Sequence, residues 1–349
     1  MRPSRRIEEY GIRIGRMPKG PRNTIADVPG VSVGHCTLAD GPVQTGVTAV
    51  IPAPGNLFRE KVMAACHVIN GFGKSCGIVQ IEEMGTLETP ILLTNTFGVG
   101  ATSEALVRSM LAANPDIGRE TGTVNPAVFE CNDGFLNDIR ALPVREEHVL
   151  KAIASAGSDF EEGAVGAGRG MSCYQLKGGI GSASRIVEYG DSSFTLGALV
   201  LSNFGQMEDL TVDGRKIGAT IFGIAPPEDE QGSIIALLAT DAPLTERQLK
   251  RVARRASVGI TRTGAFIGNG SGEIALAFTT ANRVFHDETS PVRQIGMFNE
   301  NEINLLFRAA VEATEEAVLN SMVRAEAVTG RDGHTRRSLA EFAELFAFK

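Results

Sequence analysis

No stretch of the 349-residue sequence approaches the roughly 18 uninterrupted apolar residues of a membrane-spanning helix, so no transmembrane segment is expected. The first twenty residues are charged and lack the apolar centre of a secretory signal peptide. Positive charge is not in excess: the net charge is −7, which argues against nucleic acid or an anionic membrane as a partner. The densest basic run, Lys250, Arg251, Arg254 and Arg255, has helical spacing and reads as a solvated helix face. Five cysteines, odd in number and scattered with no CxxC pair, exclude a zinc ribbon or a disulfide framework. The default expectation is a cytoplasmic protein with reduced thiols.

Motifs for nucleotides and metals are also missing. Gly73-Lys74-Ser75 has Val68 where a P-loop needs its first glycine. Gly98-x-Gly100 is followed by Ser103, and Gly166-x-Gly168 by Met171, so neither completes G-x-G-x-x-G. His35, His67, His148, His286 and His334 show no metal-site spacing, and no G-x-S-x-G elbow stands out. No metal and no cofactor are therefore expected. Internal repeats and low-complexity tracts are absent as well.

What is present is a large core. Hydrophobic residues make up 43% and charged residues 21%, as in soluble globular proteins. Forty glycines fall in short clusters between apolar runs, which predicts tight turns around a packed sheet. Residues 1–30 are turn-rich and polar, ending in an Asp27-Val28-Pro29-Gly30 turn. Strands are predicted at 31–33, 46–51, 90–94, 194–201, 233–240 and 273–280. Helices are predicted from Thr102 or Ser103 to Leu111, over 146–156, and from a Thr245-x-x-Gln248 capping box to about Ala256. A further amphipathic helix covers 303–322, with Leu306, Phe307, Ala310, Val311, Ala317 and Val318 inward. Residues 163–181 read as a glycine-rich loop passing close to something, and Asn203-Phe204-Gly205 as the exit turn of its strand. Central strands flanked by helices predict a layered sandwich, not a βαβ array.

The strongest linker signal is Pro226-Pro227-Glu228-Asp229-Glu230-Gln231-Gly232, and it runs straight into the buried-strand pattern Ser233-Ile234-Ile235-Ala236. Gly-Ser by itself marks no more than a turn, and it recurs at Gly157-Ser158, Gly181-Ser182 and Gly270-Ser271. At 232–233 the context adds meaning. Glycine leaves the preceding carbonyl carbon open and tolerates strained conformations that an N-to-O acyl shift requires. Cleavage there would give Ser233 both a hydroxyl and an α-amine, whose reference pKa near about 8 suits a base. Gly268-Asn269-Gly270-Ser271-Gly272-Glu273 enters another strand, where Ser271 and Glu273 share a face opposite Ile274, Leu276 and Phe278. That pair is able to relay or hold a proton, and is equally compatible with a polar edge at a strand entrance.

Seven blocks in order resemble the DmpA family of L-aminopeptidase/D-esterases and β-aminopeptidases, which process themselves at a Gly-Ser bond. They are Asn23-Thr24-Ile25-Ala26-Asp27-Val28-Pro29-Gly30-Val31 through His35, then Leu93-Thr94-Asn95-Thr96 with Gly98-Val99-Gly100, and Glu130-x-x-Asp133-Gly134-x-Leu136-Asn137-Asp138. Next come Lys177-Gly178-Gly179-Ile180-Gly181-Ser182-x-Ser184-Arg185 and Val200-Leu201-Ser202-Asn203-Phe204-Gly205. Gly232-Ser233 and Gly270-Ser271-Gly272-Glu273 complete the series. The resemblance implies a four-layer αββα sandwich (α+β class), like N-terminal-nucleophile hydrolases in layering but not in chain order. It implies one domain over 1–349, split into 1–232 and 233–349, and tetramers of split pairs. By the same resemblance Ser233 is the nucleophile, Ser271 and Glu273 accompany it, and Asn203 contributes to the oxyanion hole. Glu130 would hold the amine of a small peptide, amide or ester substrate. Asn132 stands where some members carry tyrosine, which bears on substrate preference. Alternatives are an acyltransferase on the same scaffold, which would use threonine as nucleophile, and a non-catalytic small-molecule-binding homologue, which has no need of the four polar residues.

Overall fold

The computed structural model describes residues 5–224 and 232–347; the acidic linker at 226–231 lies outside them. Two sheets carry the architecture. The smaller has the order β1-β2-β5-β6 and is built from β1 (Ser32–Asp40), β2 (Val43–Ile51), β5 (Ile91–Asn95) and β6 (Ala127–Cys131). The larger has the order β4-β3-β14-β13-β10-β9, from β4 (Thr86–Leu87), β3 (Glu60–Gly71), β14 (Gly272–Phe285), β13 (Ser233–Thr240), β10 (Ser192–Asn203) and β9 (Gly179–Tyr189). Three hairpins stand apart: β7 (Ser172–Cys173) with β8 (Leu176–Lys177), β11 (Thr211–Val212) with β12 (Arg215–Lys216), and β15 (Val328–Thr329) with β16 (Thr335–Arg336).

Side-chain alternation sorts the apolar residues into three slabs, and so into four layers. On β13, Ile235, Leu237 and Ala239 meet Leu93, Phe129 and Cys131 of the other sheet. Ile234, Ala236 and Leu238 instead meet a helical layer of α5 (Glu246–Ala253), α6 (Ala256–Arg262) and α7 (Asn304–Val323). Across the smaller sheet, Val47, Ala49, Leu92 and Val128 pack on α2 (Val99–Ala113) and α3 (Glu146–Ala154). The remaining helices, α1 (Ile78–Met84) and α4 (Gly218–Ile224), are short. The result is the expected αββα sandwich. Its two parallel pairs, β5 with β6 and β13 with β14, are each joined through helices. The sandwich therefore contains two βαβ crossovers that the sequence reading did not anticipate.

Element by element, β13 has the predicted bounds, and Thr245 caps α5 by accepting from the Gln248 N–H at 3.4 Å. Other elements differ. Strand β10 runs through Asn203, so this residue ends the strand and does not begin the turn. The helix after Thr245 stops at Ala253 and resumes at Ala256. The proline turn is shifted by one residue: Val31 N–H donates to the Val28 carbonyl at 3.1 Å, with Gly30 at φ +88° in the position where a type II turn needs glycine. Residues 163–181 are not a simple loop, since β7, β8 and the start of β9 fall inside them, but their glycines do lie against backbone. A Cβ on Gly168 would stand 2.6 Å from Ile180 N. The N-terminal segment is also less polar in its packing than in its composition, with Ile7, Ile12, Ile14 and Ile25 all buried.

Helix α7 is covered on every side from Ala309 to Val323. Its polar face meets partners, not water. Arg185, itself fully buried, donates to Glu316 Oε2 at 2.7 Å and Glu312 Oε2 at 3.3 Å, and Lys19 reaches Glu316 Oε1 at 2.8 Å. Burial works against the Glu316 charge, but Arg185 and Lys19 outweigh it and hold the carboxyl below its usual pKa. Removing one member alone would strand a buried charge, at a cost of about 3–5 kcal/mol. The basic helix α5 likewise spends its charges locally, with Lys250 on Glu82 and Arg251 on Glu300. All five cysteines are free thiols.

Candidate active site

Three neighbouring strands of the larger sheet end side by side and present the predicted residues. Asn203, the last residue of β10, lies directly opposite Ser233, the first of β13, across the antiparallel ladder. Cross-strand partners share a face with Cβ atoms about 5 Å apart. On the other side β13 pairs in parallel with β14, placing Ser233 beside Gly272. The Gly272 N–H donates to Ser233 Oγ at 3.0 Å. A donor there would stabilise negative charge on Oγ if the hydroxyl gave up its proton.

Ser271 and Glu273 flank Gly272 at the start of β14. With Gly232 they line a cavity of about 140 Å³, closed elsewhere by Phe204, Gln206, Phe266 and Ile267. Burial pushes the Glu273 carboxyl above its usual pKa, and the Ser271 hydroxyl opposes that shift. Glu273 is 2% exposed and its Oε2 has no hydrogen-bond partner among the described residues. An orphaned carboxylate oxygen costs free energy unless a donor arrives. Ile267 adds strain to the wall: its φ of 62° is left-handed, which a β-branched residue rarely adopts. The structure thus gathers Ser233, Asn203, Ser271, Glu273 and Gly232, and joins Ser233 to the Ser271/Glu273 pair through the main chain of Gly232 and Gly272.

Gly232 is glycine because of contact. Its φ is not left-handed, and a Cβ would stand 2.5 Å from Phe204 Cα and closer still to the Asn203 carbonyl oxygen. This contact is a second reason for glycine, beside the open carbonyl and conformational freedom expected from the sequence.

Glu130 and Asn132 come from the other sheet and do not line that cavity. Glu130, 4% exposed near the end of β6, accepts from Lys74 N–H at 2.8 Å on Oε1 and from the Thr96 hydroxyl on Oε2. The failed P-loop cluster thus cradles an internal carboxylate. Gly73 bridges it to the start of β14, the strand beside Ser233: a Cβ on Gly73 would stand 3.5 Å from Glu130 Oε1, and one on Gly272 would stand 3.3 Å from Gly73 Cα. Each carboxylate oxygen keeps a lone pair free for a further donor. Asn132 enters differently from expectation. Its side-chain Oδ1 accepts from Gly134 N–H at 2.9 Å in a local turn, while its backbone carbonyl accepts from Asn203 Nδ2 at 2.9 Å.

Sequence reasoning missed the groups that orient Asn203, among them the Ser172 N–H, which donates to Oδ1 at 2.8 Å. Asp133, three residues after Glu130, is a second buried acid. It is 0% exposed, and burial pushes its pKa up to about 7 against hydrogen bonds from Thr45, Asn137 and Asn95. Among the described residues no cluster of three or more His, Cys, Asp or Glu has the form of a metal site, and no helix is long and apolar enough to cross a membrane.

Comparison with known proteins gives this arrangement a family. The model of peptidase family S58 matches residues 23–336. The PH0078 protein from Pyrococcus horikoshii OT3 is similar in structure, with a TM-score of 0.94, 51% identity and 98% of each chain covered. The L-aminopeptidase D-Ala-esterase/amidase of Ochrobactrum anthropi, described as a variant of the Ntn hydrolase fold, superimposes with a TM-score of 0.90 at 38% identity, covering 97% of this chain and 96% of its own. The β-peptidyl aminopeptidase BapA of Sphingosinicella microcystinivorans is 40% identical over 98% of this chain and 91% of its own. The chain therefore belongs to peptidase family S58, the DmpA family, and is a hydrolase of the aminopeptidase/amidase type.

Proposed function

We propose that this protein cuts itself between Gly232 and Ser233 and then uses Ser233 to hydrolyse short peptides, amides or esters that carry a free amine. The observation that carries this reading is the buried, unpartnered Glu273 Oε2 in the cavity that Gly232 also lines. Among the described residues of the intact chain nothing satisfies it. Cleavage creates an α-amine on Ser233 at the edge of the same cavity, a donor matched to a carboxylate already held there.

In the first reaction Ser233 Oγ attacks the Gly232 carbonyl carbon, the C–N bond breaks, and the acyl group passes from nitrogen to oxygen. Water then hydrolyses the ester, leaving a Gly232 carboxylate and a free Ser233. In the second reaction the α-amine of Ser233 takes the proton from its own hydroxyl as Oγ attacks a substrate carbonyl. Ser271 and Glu273 hold and tune that amine. The second Nδ2–H of Asn203, which has no protein acceptor among the described residues, meets the oxyanion, a role worth about 3 kcal/mol of barrier. The amine product leaves with the proton, and water releases the acyl group from Oγ.

Glu130 anchors the substrate ammonium. The named activities of the relatives, on β-peptides and on L-aminoacyl and D-alanyl compounds, set the substrate classes to try first. An oligomer of split pairs in a reducing compartment completes the proposal, in keeping with five unpaired thiols. The test is electrophoresis of purified protein with N-terminal sequencing of the smaller fragment, followed by assay on aminoacyl p-nitroanilides. A fragment beginning anywhere other than Ser-Ile-Ile-Ala removes Ser233 as the nucleophile.

A further inference from the structure

The amide of Asn203 is fixed at both ends. Oδ1 accepts the Ser172 N–H at 2.8 Å, and Nδ2 donates to the Asn132 carbonyl at 2.9 Å. Behind Ser172 lies Lys177, fully buried, whose ammonium donates to the carbonyls of Met171 at 2.7 Å, Gly178 at 2.8 Å and Gly168 at 2.9 Å. The Met171 carbonyl and the Ser172 N–H are the two ends of one peptide group. A continuous chain therefore runs from the Lys177 ammonium through the 171–172 peptide to the Asn203 side chain.

We propose that Lys177 is a positioning residue for the oxyanion-binding amide, with its charge orienting and polarising Asn203 through the 171–172 peptide. This rests on the reading of Asn203 as the oxyanion donor. A cation on a peptide oxygen draws electron density toward it and makes the N–H at the other end a stronger donor. Asn203 Oδ1 accepts that donor, and its own Nδ2–H is strengthened in turn. The direction is the one catalysis needs, because the chain ends on a hydrogen that faces developing negative charge. Neutral side chains could also tie down carbonyls, so burying an ammonium, at a desolvation cost of several kcal/mol, calls for a role that uses the charge.

The hairpin that carries the peptide is built for placement. Its turn residues Tyr174 and Gln175 sit at φ 51° and 57°, where two-residue turns favour Asn and Gly. Tyr174 N–H donates to the Phe204 carbonyl at 2.6 Å, so the hairpin grips the chain at Asn203 and again one residue later.

Lys177→Met keeps the length of the side chain and removes the charge. Its kcat, counted per chain bearing a free Ser233 terminus, should fall about tenfold or more while KM stays within about twofold. In an Asn203→Ala background the same substitution should change kcat by less than about twofold, because the relay then ends on nothing. A lysine that only supported the fold would lower Tm and cut kcat by the same factor in both backgrounds. If Lys177→Met gives no folded protein, Lys177→Gln, which keeps a donor for the carbonyls, carries the same expectation. An unchanged kcat in a folded variant, or the full loss repeated beside Asn203→Ala, overturns the proposal. Asn203→Ala at undiminished kcat would instead remove the oxyanion reading on which it stands.

Discussion

Replacing Gly232 by alanine tests the junction with one carbon atom. The backbone of Gly232 lies against that of Asn203 and Phe204, and an added Cβ would stand 2.5 Å from Phe204 Cα and closer to the Asn203 carbonyl. Both obstacles are main-chain atoms at the end of a paired strand, so neither can swing aside like a flexible side chain. Relief requires the two chains to part by about 1 Å, and a displacement of that size at a reacting centre can cost about 100-fold. Because the φ of Gly232 is not left-handed, no conformational penalty is added. Parting the two chains should cost stability on the order of 1–3 kcal/mol, and the functional damage should fall on the geometry between Ser233 Oγ, the Gly232 carbonyl and the Asn203 amide. The assay is the rate of splitting of purified Gly232→Ala precursor, followed by denaturing electrophoresis, with Tm recorded alongside. Splitting slowed about 100-fold, with a modest fall in Tm, is expected. A variant that splits as fast as the parent would show that this contact does not hold the scissile peptide in place.

Ser233→Ala should leave a single full-length chain on the same gel, since no hydroxyl remains to accept the acyl group. Glu130→Gln should cut kcat/KM for free-amine substrates about 30-fold or more while splitting proceeds normally, because the internal reaction presents no ammonium; the Thr96 hydroxyl can turn to accept the new NH₂, so Tm should hold. Wild-type efficiency in Glu130→Gln would place the amine anchor elsewhere, and the fully buried Asp133 is not a candidate for it. Asp133→Asn tests a pH effect. Its folded pKa of about 7 lies above the unfolded value of about 3.9, so the folded state keeps a proton that the unfolded state has lost. The stability it contributes is fully present below about pH 4 and is lost as pH rises through about 7. Asparagine mimics the protonated acid, so the variant should match the parent near pH 4 and exceed it at pH 8 by an amount on the order of a few kcal/mol, read as Tm against pH. A constant difference across that range would refute it.

The layers were legible because the apolar patterns are strong where both faces are buried. Ser233-Ile234-Ile235-Ala236-Leu237-Leu238-Ala239-Thr240 reads as a doubly covered strand, and it is one, dividing its residues between two of the three apolar slabs. Strand β9 was not legible, since Gly179, Gly181, Ser182 and Ser184 look like loop chemistry. They are small because backbone and polar groups crowd them: a Cβ on Gly181 would stand 2.5 Å from Ser321 N of α7, and Ser182 Oγ accepts from Ile25 N–H at 2.8 Å. Helix α7 misled in the opposite sense. Glu312, Glu315 and Glu316 give it a polar stripe that spacing alone assigns to solvent. Burial of Glu312 and Glu316 depends on Arg185 and Lys19, about 130 and 300 residues away in sequence, a distance no periodicity can bridge.

The candidate site shows the same division between local and long-range signals. Ser271 and Glu273 declare themselves by spacing, because they flank one residue of one strand. Gly232-Ser233 is visible through the composition change beside it. What spacing cannot convey is that the Gly232 Cβ position is occupied by the end of β10, that the Gly272 N–H holds Ser233 Oγ, and that Asn203 is clamped between a hairpin and the opposite sheet. All three are main-chain contacts, and main-chain contacts leave little trace in residue identity except where they forbid a side chain. Gly232 is such a place. Its identity records the approach of Asn203, and the packing that would bring the oxyanion donor to the scissile bond is the packing that excludes every residue larger than glycine.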